Sequence, residues 1–380
     1  MILVAKKRCP LLPLTVALGG WLAFGSCMAI AQDAPDLESR RDFRYSFAAI
    51  DDVTNLSGLQ VPIPMIQNRL LLEPAFTYRW QPRWSFASSL IGLAYTDGNT
   101  HTQLKVKETY AGLSAGDYDF TVGRRIVRWG TGYAFTAAGV LDPPRVATDP
   151  NDRLNLNEGR DMVKADWVHG PHAITLAWST AALEGKESNL NDPSLHGTAL
   201  RDTLAFRYNV LVHGFDAALI AGDDRGGEAF GGLTFTRVFG QAWELHGEAT
   251  WREHAAILLG GKYITPSGIS FIAEFYTPPN TPFFRSSTLS PLAGRQHYAF
   301  VRVAKSRLRE LPGWKQWDLA GSLVENVDDR SYTAVFDVER RFGNRFSTYV
   351  HVEAPAGRKS SEYGITPYVA STSAGIRFQL

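Results

Sequence analysis

Four ionisable residues recur on one side of a short stretch. In QAWELHGEATWRE, residues 241–253, Glu244, His246, Glu248 and Arg252 alternate with Trp243, Leu245, Gly247, Ala249 and Trp251. Successive strand side chains point to opposite faces, so one face here is ionisable and the other apolar. An imidazole between two carboxylates can pass protons, which is general acid–base chemistry. The same groups also serve as plain polar lining of a water-filled space. No local Ser-His or Asp-His signature accompanies His246, and lining is the expectation. Glu274, Glu325 and Glu353 are expected on the same wet face.

Two further groups invite chemistry. Arg124, Arg125 and Arg128 crowd one segment, with Arg124 and Arg128 on one strand face and Arg125 on the other. A β-bulge at Gly123 would turn all three inward. The HGPH stretch, His169 to His172, has a metal-like look, but its Gly-Pro marks a tight turn and the pair reads as solvated. Phosphate-cradling, zinc-spaced and dinucleotide motifs do not occur in the sequence, so no cofactor and no metal are expected.

The elements that must carry these residues are strands. Alternation and turn residues give about eighteen candidates, near 42–53, 68–81, 84–96, 102–115, 118–130, 159–170, 172–181, 198–214, 215–224, 228–240, 242–253, 254–266, 268–278, 295–306, 314–329, 331–344, 345–357 and 368–380. Their connections alternate between tight turns, such as Gly116-Asp117, Gly170-Pro171 and His213-Gly214, and long loops such as 54–67, 131–158, 182–197 and 279–294. In an up-and-down sheet that alternation gathers the long loops at one end, as in outer-membrane barrels.

The two tryptophans of the opening stretch test the same idea. Trp243 and Trp251 share a face eight residues apart, about 26 Å along a strand rising ~3.3 Å per residue. A tilt of about 40° leaves roughly 20 Å along the membrane normal, near the height of an apolar band edged by aromatic girdles. The greasy face therefore looks at lipid and the ionisable face at a lumen. The fold expected is all-β: a transmembrane antiparallel up-and-down β-barrel of about 18 strands, with 16 as the alternative count.

The ends agree with export. Residues 1–31 have a basic start at Lys6, Lys7 and Arg8, an apolar middle and an Ala-Ile-Ala ending, and read as a cleaved signal peptide. Residues 32–41 read as a polar leader and 42–380 as one barrel domain. Both cysteines, Cys9 and Cys27, lie in the signal, so the mature chain has no thiol chemistry. Without the three signal cations, 36 basic residues face 38 acidic ones. That balance excludes the basic excess of a nucleic-acid binder. After the signal, no apolar run is long enough for a transmembrane helix.

Residues 123–162, GRRIVRWGTGYAFTAAGVLDPPRVATDPNDRLNLNEGRDM, resemble a pattern of porin-like outer-membrane proteins of Gram-negative bacteria, including those related to alginate export. Gly123, Arg124, Trp129, Gly130, Asp142, Pro143, Asp149 and Pro150 carry the likeness. The resemblance implies that the 131–158 loop folds into the lumen and sets Asp142, Asp149 and Asp152 across from Arg124, Arg125 and Arg128. The chain ends in GIRFQL, with Ile376, Phe378 and Leu380 on one face. That looks like the closing strand read by the barrel assembly machinery, although the pattern prefers a terminal aromatic.

The expected function is a passive porin or substrate-selective channel in the bacterial outer membrane. It would be embedded in outer-membrane lipid, pass small hydrophilic solutes, anionic ones included, and form a homotrimer if it follows porin habit. The alternatives are a barrel enzyme (lipase or protease), for which ten or twelve strands would be usual, and a plugged surface receptor or scaffold.

Overall fold

The computed structural model describes residues 40–56, 66–80, 83–96, 100–143, 145–150, 156–180, 202–224, 228–252, 255–278, 297–308, 313–366 and 368–379. The signal, the leader up to residue 39 and Asp152 lie outside the described residues.

Eighteen strands follow one another. The first six are β1 (Arg40–Leu56), β2 (Ile66–Trp80), β3 (Trp84–Thr96), β4 (Thr100–Ala115), β5 (Tyr118–Arg125) and β6 (Arg160–His169). Next come β7 (His172–Ser179), β8 (Thr203–Val212), β9 (Phe215–Asp224), β10 (Glu228–Phe239), β11 (Trp243–Trp251) and β12 (Ala255–Ile264). The last are β13 (Ile269–Thr277), β14 (Tyr298–Lys305), β15 (Trp317–Asn326), β16 (Ser331–Phe342), β17 (Phe346–Ala356) and β18 (Tyr368–Gln379). Each pairs antiparallel with the next, and β18 returns to β1 with Ser46 opposite Gln379. The count is eighteen rather than sixteen, and β1 takes in Arg40 and Arg41 from the stretch read as leader.

Closure is what an apolar solvent demands, since hydrocarbon offers nothing to an unpaired N–H or C=O. The side chains follow. On β11, Trp243 and Trp251 are 58% and 64% exposed, while His246 and Glu248 are buried. At the tight-turn end, aromatics face each other across strands, Trp80 with Trp84, Tyr118 with Trp167 and Trp243 with Tyr263, forming one girdle. The tight turns have the geometry they need: His213 and Gly214 have φ of 51° and 74°, the mirror-image turn whose twist matches a hairpin.

One element departs from its expected length. Alternation runs on through Val127 and Trp129 and predicts β5 to residue 130, yet the ladder ends at Arg125. The cause lies one strand away. A register shift at Ser89/Leu90 lets β4 carry an extra residue beside Glu108, whose Oε1 accepts the N–H of Ile126 at 2.8 Å. The chain then turns into the barrel instead of extending the sheet. Pairing through Gly123 is regular, so the bulge sits in β4 rather than at Gly123. Gly123 instead permits close approach: its φ is 124°, and a Cβ there would lie 2.3 Å from the Thr109 carbonyl oxygen.

The turned-in segment makes the core. Val127, Trp129, Ala138 and Leu141 pack on Met162, Ala177, Ala205, Ile220 and Phe230, which line the inner wall of β6 to β10. Ala134, Tyr133 and Phe135 join Ile272, Phe300 and Val324 on β13 to β15. Leu156 packs against Ile50, Leu71 and Ile91. The loop thus touches three sectors of the wall.

Candidate functional site

A segment inside a barrel brings backbone N–H groups with no ladder to join, and each buried one needs an acceptor. Two wall carboxylates supply them. Glu248 of β11 takes six donors. Its Oε1 accepts the Thr131 N–H, the Gly132 N–H at 2.7 Å and the Thr131 hydroxyl at 3.2 Å. Its Oε2 accepts the N–H groups of Ala137 and Ala138 at 2.6 and 2.7 Å and the Thr136 hydroxyl at 2.9 Å. Glu274 of β13 accepts the Tyr133 N–H, the Ala134 N–H at 2.9 Å and the Phe135 N–H at 3.4 Å. The chain comes so close that a Cβ on Gly130 would fall 2.0 Å from the Thr136 hydroxyl and 3.1 Å from Glu248.

Side chains complete the latch. His246, fully buried, has Nε2 3.1 Å from Glu274 and Nδ1 3.5 Å from Glu244. The Tyr133 hydroxyl donates to Glu244 at 3.0 Å, and Lys262 Nζ donates to that hydroxyl at 3.3 Å. Burial, with Glu244 alongside, pushes the Tyr133 phenol well above its ordinary pKa. Within the loop, Asp142 accepts the N–H groups of Trp129 and Gly130 at 2.5 and 3.1 Å and lies 3.5 Å from Arg145. Burial pushes its carboxyl above the usual range, against the pull of those hydrogen bonds and of Arg145.

Two hollows inside the barrel are lined by described residues. The larger, about 700 Å³, is lined by Arg128, Tyr133, Lys262, Arg302 and Arg377 with Asp337 and other residues of β1 and β12 to β18. The smaller, about 280 Å³, lies against β2 to β6 and includes Arg79, Tyr110, Asp119, Arg125 and Asp166.

No protein-family model and no curated protein matches the sequence. Solved structures do. OpdL of Pseudomonas aeruginosa superimposes with a TM-score of 0.58 at 10% identity, covering 90% of this chain and 98% of that one. OccK5 (OpdH) of the same bacterium gives 0.56 at 9% identity, covering 91% and 99%. Wzi of Escherichia coli, an outer-membrane protein involved in group 1 capsule assembly and a carbohydrate-binding β-barrel, gives 0.57 at 11%, covering 94% and 87%. The chain has the closed eighteen-strand fold that these porin-like outer-membrane barrels share. At such identities the shared property is the fold.

Within this porin-like barrel the expected site residues scatter. Arg125 points inward, donating to the Thr121 hydroxyl at 2.8 Å with its guanidinium 4.8 Å from the Tyr110 ring centre. Arg128 faces the larger hollow. Arg124 belongs to neither: it grips Asp161 of β6 with Nε and Nη2 at 3.0 and 2.9 Å, reaches the Val106 carbonyl of β4 at 3.3 Å, and lies 3.8 Å from Glu158. It ties together the strands that flank β5 where β5 ends. Asp142 turns to its own loop, and Asp149 is half-buried where its N–H bonds the Val146 carbonyl at 2.9 Å. The acidic row facing an arginine row is therefore not the arrangement seen among the described residues.

On β11 the alternation places every residue as read. Arg252, just past the strand, pairs with Asp224 at 2.5 Å. Glu353 also faces inward, accepting the Tyr368 hydroxyl at 3.1 Å. Glu325 does not. Its neighbours Ala320, Ser322, Val324 and Asn326 hold the inner face of β15, so the parity of the strand turns Glu325 outward near the loop end. His169 and His172 bond Asp117 and Tyr208 separately, each at 2.8 Å. Sequence reasoning did not single out as site residues Arg302 and His351, both buried, and half-buried Asp337, which accepts from Arg302 at 3.3 Å and sits 2.7 Å from His351. Their alternation with outward Val301, Val303, Phe336 and Val350 is the signal that marks them.

Proposed function

We propose that the protein is a passive channel for small hydrophilic solutes, anionic ones favoured, with the β5–β6 loop narrowing the passage. The observation that carries this reading is the larger hollow beside the loop, where Arg128, Lys262, Arg302, Arg341 and Arg377 outnumber Glu73, Asp318, Asp337 and Glu339. Fixed charge in a narrow water-filled passage sorts solutes by sign and size. In this reading Arg125, Arg128, Glu244 and Arg252 line the path, while His246, Glu248 and Asp142 keep the loop in place. Residues 1–31 leave on export, and the closing strand β18 presents the chain to the assembly machinery.

Planar-bilayer recording tests the proposal. Purified barrel should give discrete current steps and a reversal potential displaced toward anions. Arg128→Glu should move that potential toward cations. No steps at any salt concentration would contradict a channel.

A second reading, a plugged receptor, draws on the β17–β18 connection. Tyr363 packs on the cluster holding Phe300 and Val324, and Glu362 accepts from Asn326 and Tyr298 at 2.7 and 2.9 Å. A lumen filled from two loops would bind solutes at its mouth, and the same recording would stay silent. The enzyme reading is disfavoured by eighteen strands.

A further inference from the structure

The outer surface at the tight-turn end repeats one arrangement. Arg41 lies opposite Tyr78 across β1 and β2, with its guanidinium 5.7 Å from the ring centre. Arg237 sits 4.8 Å from the ring centre of Phe239. Arg340, opposite Trp317, lies 5.3 Å from that ring and 4.7 Å from Phe342. All three belong to the lipid-facing parity of their strands, beside the aromatic girdle. Cation–aromatic contact holds a guanidinium in place while leaving its N–H edge free for another partner.

The exposed charge around them is mostly basic, with Asp42 and Asp216 as exposed acids nearby. The turns below add exposed Arg83, Arg307, Lys315 and Arg345. Among the described residues, the acids at this end mostly face inward, as Asp119, Asp318 and Glu339 do where they line the hollows, and Asp117 in its turn is paired with His169. At the long-loop end the outward parity carries exposed Asp51 and Asp223 instead.

We propose that this rim is a docking surface for anionic phospholipid headgroups of the inner leaflet. Short turns of outer-membrane barrels face the periplasm, so the pinned guanidinium groups stand at the height of that leaflet's phosphates. Arginine's planar fork matches a phosphodiester, and the surface potential of acidic lipid adds to the attraction. The proposal does not depend on conduction, because none of the three arginines enters the lumen.

Native mass spectrometry of the folded chain in detergent, with equal phosphatidylglycerol and phosphatidylcholine of matched acyl chains, tests it. Wild type should retain the anionic lipid about fivefold over the zwitterionic one. The triple variant Arg41→Gln, Arg237→Gln, Arg340→Gln should retain both equally. Folding is checked by heat-modifiable migration in gels. If the triple variant does not fold, each single variant should lose part of the preference. Equal retention by wild type, or an unchanged preference in the variants, overturns the proposal.

Discussion

Glu248 illustrates how a single carboxylate can hold a loop. Its two oxygens collect four N–H groups and two hydroxyls, all from residues 131–138. Glu248→Gln replaces one acceptor oxygen by a donor aimed at other donors. A buried unsatisfied group costs ~1–3 kcal/mol. Amides 131–138 should then exchange roughly a hundredfold faster, about 2.8 kcal/mol of lost docking. Unchanged protection would mean the loop is held by its apolar contacts alone. Asp142 adds a pH dependence of known sign. Its folded pKa is raised above the unfolded value, so the stability it contributes is full below the ordinary carboxylate pKa and fades as pH rises through the raised one. Measured as the wild-type minus Asp142→Asn difference in protease resistance of residues 129–142, docking should decline as pH rises above the ordinary carboxylate pKa of about 4. A flat difference would contradict it. Glu248 was legible only as an inward residue. Four of its six partners are backbone N–H groups of Gly, Ala and Thr, which leave no side-chain signature to read.

At the scale of elements, strands were legible because lipid and lumen impose opposite chemistries on alternate residues. Each of the eighteen expected segments overlaps an observed strand. β5 shows where that signal misleads. Val127 and Trp129 alternate as strand residues do, yet the apolar partner they find is the inner wall of β6 to β10 rather than lipid. Glu325 shows the same limit from the other side, since an acid near a strand end can face outward where water is close. The seam at the end of β5 depends on Arg124. A partly buried bidentate pair lost on one side leaves a charge unpartnered, and Arg124→Ala should cost about 3 kcal/mol. The gel shift from folded to unfolded migration should move to lower temperature, and Asp161→Ala should add little once Arg124 is gone. Additive losses would place the two residues in separate roles.

The whole molecule is an inside-out arrangement. Exposed Leu245, Phe336 and Val350 face outward, while buried Arg302 and His351 and half-buried Asp337 face the axis. Apolar burial alone does not drive such a fold in water; lipid is the solvent that makes the outer face favourable. In vesicles of a variant that keeps Trp243 and Trp251 as its only tryptophans, fluorescence should be quenched more by lipids brominated near the headgroup than by lipids brominated near the chain end. Cys9 and Cys27 both precede the barrel, so single cysteines can be introduced without background. The most direct measurement uses adjacent residues of β16 in protein reconstituted in liposomes. Cysteine at Asp337, which lines the larger hollow, should react with a membrane-impermeant sulfonate reagent. Cysteine at Phe336, 50% exposed on the outer face, should resist it. Reaction at Phe336 with protection at Asp337 would contradict a hollow, charged axis inside an apolar wall.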